Sequence, residues 1–289
     1  MSLGIGALIA AFTAMLCWAV GDFLIQKSTR KIGDLESLTF IAIIGTLALF
    51  PLVVSETGLL FSYQNLMLLL ILGFFTFIAA MFDFEALRLS KLSTADIIME
   101  LELPITISLG YFFFNEGLTT LQLVITSLVF AGIILTATES LAHWRIRWEK
   151  GAFMALLAAG GMGLLNFLTT VSSRRISPLM AVWAPWFILS IFCVLLIYKR
   201  GDFPRFVRHA RRYKGLVLSM GVIDTVAWIA YSLAVFGENI GIITAITESY
   251  PAVAMFLGIA FNKEKINWHQ YVGAAVAIIS SIALGLWVS

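Results

Sequence analysis

Eight acidic side chains, Asp22, Asp83, Glu85, Asp96, Glu100, Glu102, Asp224 and Glu248, stand inside stretches otherwise apolar enough to cross a bilayer. A carboxylate at bilayer depth is unfavourable by roughly 2.5 to 3.5 kcal/mol, so such residues face a bundle interior or a watery cavity and mark the handling of ions, protons or polar solutes. Aromatic rings accompany them at helical spacing. Asp224, Trp228 and Tyr231 occupy one face at i, i+4 and i+7, and Trp18 lies one turn before Asp22. A carboxylate beside aromatic faces suits a desolvated amine or quaternary ammonium, through charge pairing and a cation–π attraction of about 0.5 to 2 kcal/mol. The same rings also suit plain packing or an interfacial belt, the role open to Trp183 and Trp186.

The elements that must position these groups are membrane spans. Of 289 residues, 60% are hydrophobic and 12% charged, about half the charge of a soluble domain. Runs long enough to cross about 30 Å at about 1.5 Å per residue are residues 3–26, 37–55, 65–87, 92–114, 119–138, 151–172, 178–198, 215–236, 240–261 and 268–288. The expected fold class is therefore an all-α integral membrane protein of ten helices. The longest connection, Lys199 to Lys214, is too small to fold alone, so no soluble domain is expected. The first span is too long for a signal-peptide core and lacks a basic leader, which predicts that it is retained. Cys17 and Cys193 lie in apolar runs and read as inert buried thiols.

All but two of the 19 lysines and arginines fall in the connections after spans 1, 3, 5, 7 and 9; the exceptions are Arg174 and Arg175. By the positive-inside rule those odd-numbered loops face the cytoplasm, and both termini lie outside the cell membrane.

Depth divides the acids. Asp22, Asp83, Glu85 and Asp96 lie within about two turns of the odd-loop side, near Lys27, Arg30, Arg88 and Lys91. Two readings fit: an interfacial salt-bridge cluster that includes the i, i+3 pair Glu85 and Arg88, and a cytoplasmic gate whose ion pairs break as a cavity opens. Glu102, Asp224 and Glu248 lie about 12 to 16 Å from the nearer end of their spans, too deep for a short side chain to reach water. These three are the expected substrate-binding or proton-coupling residues, against the alternative of structural carboxyls satisfied by neighbouring hydroxyls. Trp228, Tyr231 and Trp18 join them as the aromatic part. Glu100 is a further candidate, but it projects about 200° away from Glu102 around the helix. Pro104 and Pro251 interrupt the fourth span of each half, where a proline frees a carbonyl and either kinks the helix or borders a cavity.

The two halves share an order of landmarks. GDFLIQKSTRKI at 21–32 aligns without gaps onto LNFLTTVSSRRI at 165–176. Pro104, Phe114 and Asn115 recur at the same spacing as Pro251, Phe261 and Asn262, and Glu116 and Gln122 match Glu264 and Gln270 after one inserted residue. Because each half has an odd number of spans, the second enters the membrane inverted. On these landmarks, and on the segments FEALRLSKLSTADIIMELELP and YSLAVFGENIGIITAITESYP, the chain resembles the ten-helix, EamA-like branch of the drug/metabolite transporter superfamily. The resemblance implies two five-helix repeats, residues 1–140 and 150–289. It also implies secondary transport of amino acids, nucleotide-related metabolites, cations or drugs by alternating access. Two features depart from the family: bacterial relatives keep both termini in the cytoplasm, and the usual lone acid beside the fourth-span proline is here an acid-rich ELELP.

No phosphate-binding glycine loop, zinc-protease helix or serine elbow occurs, and His143, His209 and His269 are not spaced as metal ligands. The sequence therefore predicts no enzyme activity, no catalytic residue, no metal and no cofactor. The basic loop Lys199 to Lys214 is expected to fix topology and touch anionic lipid rather than nucleic acid. The expected partners are the lipid bilayer, a small-molecule solute and protons, exchanged for a cation at the buried carboxyls. The alternative is a non-transporting membrane enzyme or scaffold whose acids are structural.

Overall fold

The structure is a computed structural model, and its described residues are 4–89, 98–138, 150–257, 259–260 and 266–287. Lys91, Asp96, Phe261, Asn262 and Glu264 lie outside them. Twelve α-helices follow in chain order among the described residues: α1 Ile5–Ile32, α2 Asp34–Val53, α3 Tyr63–Leu89, α4 Glu102–Phe114, α5 Thr120–Ala137, α6 Lys150–Arg175, α7 Pro178–Lys199, α8 Phe203–Arg212, α9 Lys214–Val235, α10 Ile240–Thr247, α11 Tyr250–Leu257 and α12 Trp268–Trp287. A 3₁₀ segment, Val54–Phe61, joins α2 to α3. Among the described residues nine spans, one of them α10 and α11 taken together, are long and apolar enough to cross a membrane, and α4 is a shorter apolar helix.

Local sequence sets the ends. Thr119 and Gln122 form a reciprocal capping box at the start of α5, and Ser177 caps α7 with Pro178 in its first turn. α1 passes into α2 through the single residue Gly33, whose φ of 89° a side chain would disfavour.

The packing carries the symmetry of the two halves. α1 packs on α9 as α6 packs on α3; α1 also meets α10 and α11 as α6 meets α4. α2 packs on its counterpart α7, and α5 on its counterpart α12. Exchanging the halves maps each contact onto another, the arrangement of an inverted repeat. Without a hydrophobic drive between helices in lipid, such contacts depend on close fit. At Gly163 of α6 an added Cβ would lie 2.7 Å from Ile105, so only glycine lets α4 approach this closely.

The two faces of the bundle differ. Toward the face opposite the basic loops, Ala11, Ala14, Leu69, Leu72, Met180, Val235, Ile240 and Ile243 are almost fully buried and form a plug of contiguous core. On the basic-loop face, α8 lies between α7 and α9 as a surface helix. This is more order than the sequence suggested for Lys199 to Lys214. Its Phe206 stacks on Phe40 at 4.3 Å, and the buried Glu36 of α2 accepts from Arg205 Nε at 2.8 Å and meets His209 Nδ1 at 2.6 Å. The Glu36 carboxylate raises the Arg205 pKa above its ordinary value and holds the guanidinium charged. Glu36→Ala removes the carboxylate that Arg205 and His209 share. It is expected to destabilise the docked helix by about 1 to 3 kcal/mol, read as faster tryptic cleavage after Arg208 and Arg211. Cleavage at the wild-type rate would refute this role.

Candidate functional site

The fourth span of each half is a broken helix. Pro104 has no N–H to give the Glu100 carbonyl, which instead accepts from Leu103 N at 3.2 Å, an i→i+3 bond that tightens the turn before α4. In the second half Ser249 N bonds Ile246 O at 3.2 Å and Ala252 N bonds Ser249 O at 3.1 Å, separating α10 from α11 around Glu248 and Ser249. Irregular backbone at this depth is tolerated where it lines a cavity. Both breaks do so, through Glu102 in one half and Glu248 and Tyr250 in the other.

The cavity lies in the middle of the bundle and toward the basic-loop side of the apolar plug. It spans about 700 Å³ of empty space, open solvent included. Its wall carries Asp22, Asp83, Glu102, Asp224 and Glu248, together with Trp18, Trp186, Trp228, Thr76, Asn166 and Tyr250. No Lys, Arg or His is among its described lining residues.

Hydrogen bonds and packing fix these groups. Glu102 Oε1 accepts from Asn166 Nδ2 at 2.6 Å across α4 and α6, and Tyr250 bonds the Asp22 carboxylate. Asp22 lies within electrostatic range of Asp224 and Glu248, while Glu102 lies within range of Glu248, Asp83 and Glu100. Asp224 Oδ2 and Asn166 Oδ1 have no hydrogen-bond partner among the described residues, although Asp224 is 5% and Asn166 1% exposed. Trp18 meets Trp228 edge-on at 5.3 Å, so the aromatic faces beside Asp22 and Asp224 form one cluster.

The structure places several of these residues elsewhere than span depth and helical spacing suggested. Asp22 and Asp83, assigned to the rim, line the central cavity. The rim assignment counted depth from charge-defined span ends, but α1 is 28 residues long and continues past Asp22 to Ile32, while α3 continues past Asp83 to Leu89. Tyr231 is absent from the wall. It is fully buried behind Trp18 and Trp228, with its hydroxyl 3.1 Å from Thr244 Oγ1. Glu100 is buried in the turn before α4 and does not line the cavity. Glu85 and Arg88 lie outside the cavity lining in an ion-pair cluster, where Arg88 bonds Glu85 and reaches Asp34 at 3.0 Å, and Lys150 lies 3.7 Å from Glu85.

Sequence reasoning missed Asn166 and Arg174. A lone Asn inside an apolar span was the signal for the first. For the second it was the pair Arg174 and Arg175 on the face whose other connections carry no lysine or arginine. Arg174 of α6 bonds Glu116 at 2.5 Å and the carbonyls of Val235 and Glu238, beneath a cation–π contact of 4.6 Å with Phe114. Glu116 also accepts from Ile240 N at 2.8 Å, so this one network joins the two halves over the apolar plug.

The profile of the EamA-like transporter family matches residues 5–138 and again residues 149–286, one match in each half. The chain belongs to the EamA-like transporter family. Membership of this family, within the drug/metabolite transporter superfamily, makes the protein a multi-pass membrane transporter of small solutes. One crystal structure superposes on this EamA-like chain with a TM-score of 0.76 at 14% identity, covering 96% of this chain and 95% of the other, which shows the shared fold. No curated protein sequence matches the chain.

Proposed function

We propose that this EamA-like protein is a proton-coupled secondary transporter of small organic cations or amino acids, working by alternating access around the central cavity. The observation that carries this reading is five carboxyl side chains on one wall, with three tryptophans and no cationic side chain among the described lining. An amine balances that charge and takes up the acceptors, and a ring face adds cation–π attraction. A proton neutralises the same carboxyls, so proton and cation compete for one set of groups and exchange as access changes sides. Asp22, Asp83, Glu102, Asp224 and Glu248 bind cargo or protons, while Trp18, Trp186 and Trp228 form the aromatic wall. Pro104 and Pro251 keep the two broken helices open at its level.

Sign and measurement follow from the competition. Lowering the pH converts carboxylates to neutral acids and weakens amine binding, whereas a neutral solute gains nothing from high pH. Purified protein titrated with amines, amino acids and nucleobases is expected to bind amines more tightly at pH 8 than at pH 5. Amine-driven flux in proteoliposomes should move protons in the opposite direction, read by an internal pH dye. Flux without proton movement would end the coupling, and preference for an anionic solute would end the cation reading.

The same proposal puts the basic loops in the cytoplasm and both termini outside the cell membrane, a reading supported by the lysine and arginine asymmetry of the loops. An impermeant maleimide applied to intact cells should label Tyr63→Cys and spare Arg208→Cys. The reverse pattern inverts the topology.

A further inference from the structure

We infer that the cavity takes a linear diamine or polyamine, whose separated ammonium groups engage two distinct acidic poles. This inference rests on the cation-transporter reading and specifies its cargo.

One pole belongs to α1, α9 and the α10–α11 break: Asp22, Asp224 and Glu248, with Trp18 and Trp228 beside the first two. The other belongs to α3, α4 and α6: Asp83, Glu102 and Asn166. Glu248 lies between them, within electrostatic range of both Asp22 and Glu102. Each pole presents one acceptor oxygen that lacks a hydrogen bond among the described residues although its side chain is more than nine-tenths buried, Asp224 Oδ2 in the first and Asn166 Oδ1 in the second. A buried acceptor without a donor is unfavourable by about 1 to 3 kcal/mol, and two of them on different helices, α9 and α6, are best met by two donors. A single ammonium supplies donors at one point only.

The carboxylates are also spread out. Among the described residues no three His, Cys, Asp or Glu side chains converge closely enough to hold a metal ion. A compact divalent cation would satisfy one pole and leave the other, whereas a flexible chain of methylenes with an ammonium at each end reaches both. The wall between the poles suits that chain, because Ile25, Leu38, Ile41 and Leu165 line the same cavity. Charge separation along the ligand, matched to acids on different helices, therefore sets the specificity.

Isothermal titration of the purified full-length protein with butylamine, 1,4-diaminobutane, 1,6-diaminohexane, a linear triamine and Mg²⁺ tests this. A diamine is expected to bind at least about tenfold more tightly than butylamine, in line with a further charge-assisted hydrogen bond. Glu102→Gln and Asp83→Asn should each cut the affinity of the diamine more than that of butylamine and so narrow the gap between the two, with circular dichroism and the elution volume in detergent showing that the variants are folded; an equal loss for both amines would count against the second pole. Asp224→Asn should weaken both amines. Equal binding of butylamine and the diamines would overturn the two-pole cargo while leaving a cation site intact. Mg²⁺ competing as strongly as the best diamine would overturn it in favour of a metal. Indifference of every amine to Asp224→Asn would remove the cation-transporter reading itself.

Discussion

Proteoliposomes containing Glu248→Gln are expected to lose amine-driven flux ten- to a hundredfold, the equivalent of about 1.5 to 3 kcal/mol for a bond to a charged group. Glu248 sits in the turn between α10 and α11, is 6% exposed, and lines the cavity between the two acidic groups. Glutamine keeps the length and the hydrogen-bonding oxygen but neither ionises nor carries a proton. The substitution therefore separates charge from shape. If Glu248 exchanges a proton for cargo, net proton-coupled flux falls while amine-for-amine exchange falls less, because exchange needs no proton to return. A variant with flux within threefold of wild type would make the carboxyl structural, bonded to its neighbours for packing alone. Circular dichroism and the elution volume in detergent confirm that the variant is folded.

The sequence made the ten spans and the doubling legible because apolar runs in a bilayer have a required length and the charged residues lie between them. The second half's landmarks also made the broken fourth spans visible, since a proline next to an acid in an apolar run conflicts with a continuous helix. Depth along a helix was less legible. Asp22 precedes Lys27 by just over a turn, and a reading that ends the span at the first lysine places the carboxyl near the surface. In the structure α1 runs on, and the cavity extends to that level on the basic-loop side. Which face of a helix looks inward was equally hidden for Tyr231. It shares a helical stripe with Asp224 and Trp228, yet α10 covers it and its hydroxyl turns to Thr244. Periodicity identifies a stripe, and only the neighbouring helices decide where along it the cavity ends. Asn166 shows the same limit, because its role is to donate to Glu102 of the other half. Such pairs across repeats leave no spacing in the chain.

Removing Arg174 should have the largest effect outside the cavity. Its guanidinium holds the Glu116 carboxylate and two backbone carbonyls, those of Val235 and Glu238, on the face where the core is fully packed. Arg174→Ala leaves these acceptors without their donor in a partly buried site. Leaving such acceptors without their donor destabilises by about 1 to 3 kcal/mol. The thermal inactivation temperature in detergent should therefore fall by several degrees. Arg174→Lys should recover little, since one ammonium cannot present the planar fork that reaches a carboxylate and two carbonyls at once. Glu116→Gln should be milder, because the amide oxygen still accepts from Ile240 N and only the charge is lost. The functional consequence has a sign as well. The network joins the α4–α5 loop of the first half to α6 and the start of α10 in the second, over the plug that separates the cavity from this face. Loosening it favours access from this side. In a background lacking Cys17 and Cys193, a cysteine at the cavity position Met162 should react faster with an impermeant thiol reagent from this face when Arg174 is alanine. Unchanged stability together with unchanged reactivity would show that the plug alone closes this side and that the arginine contributes nothing to it.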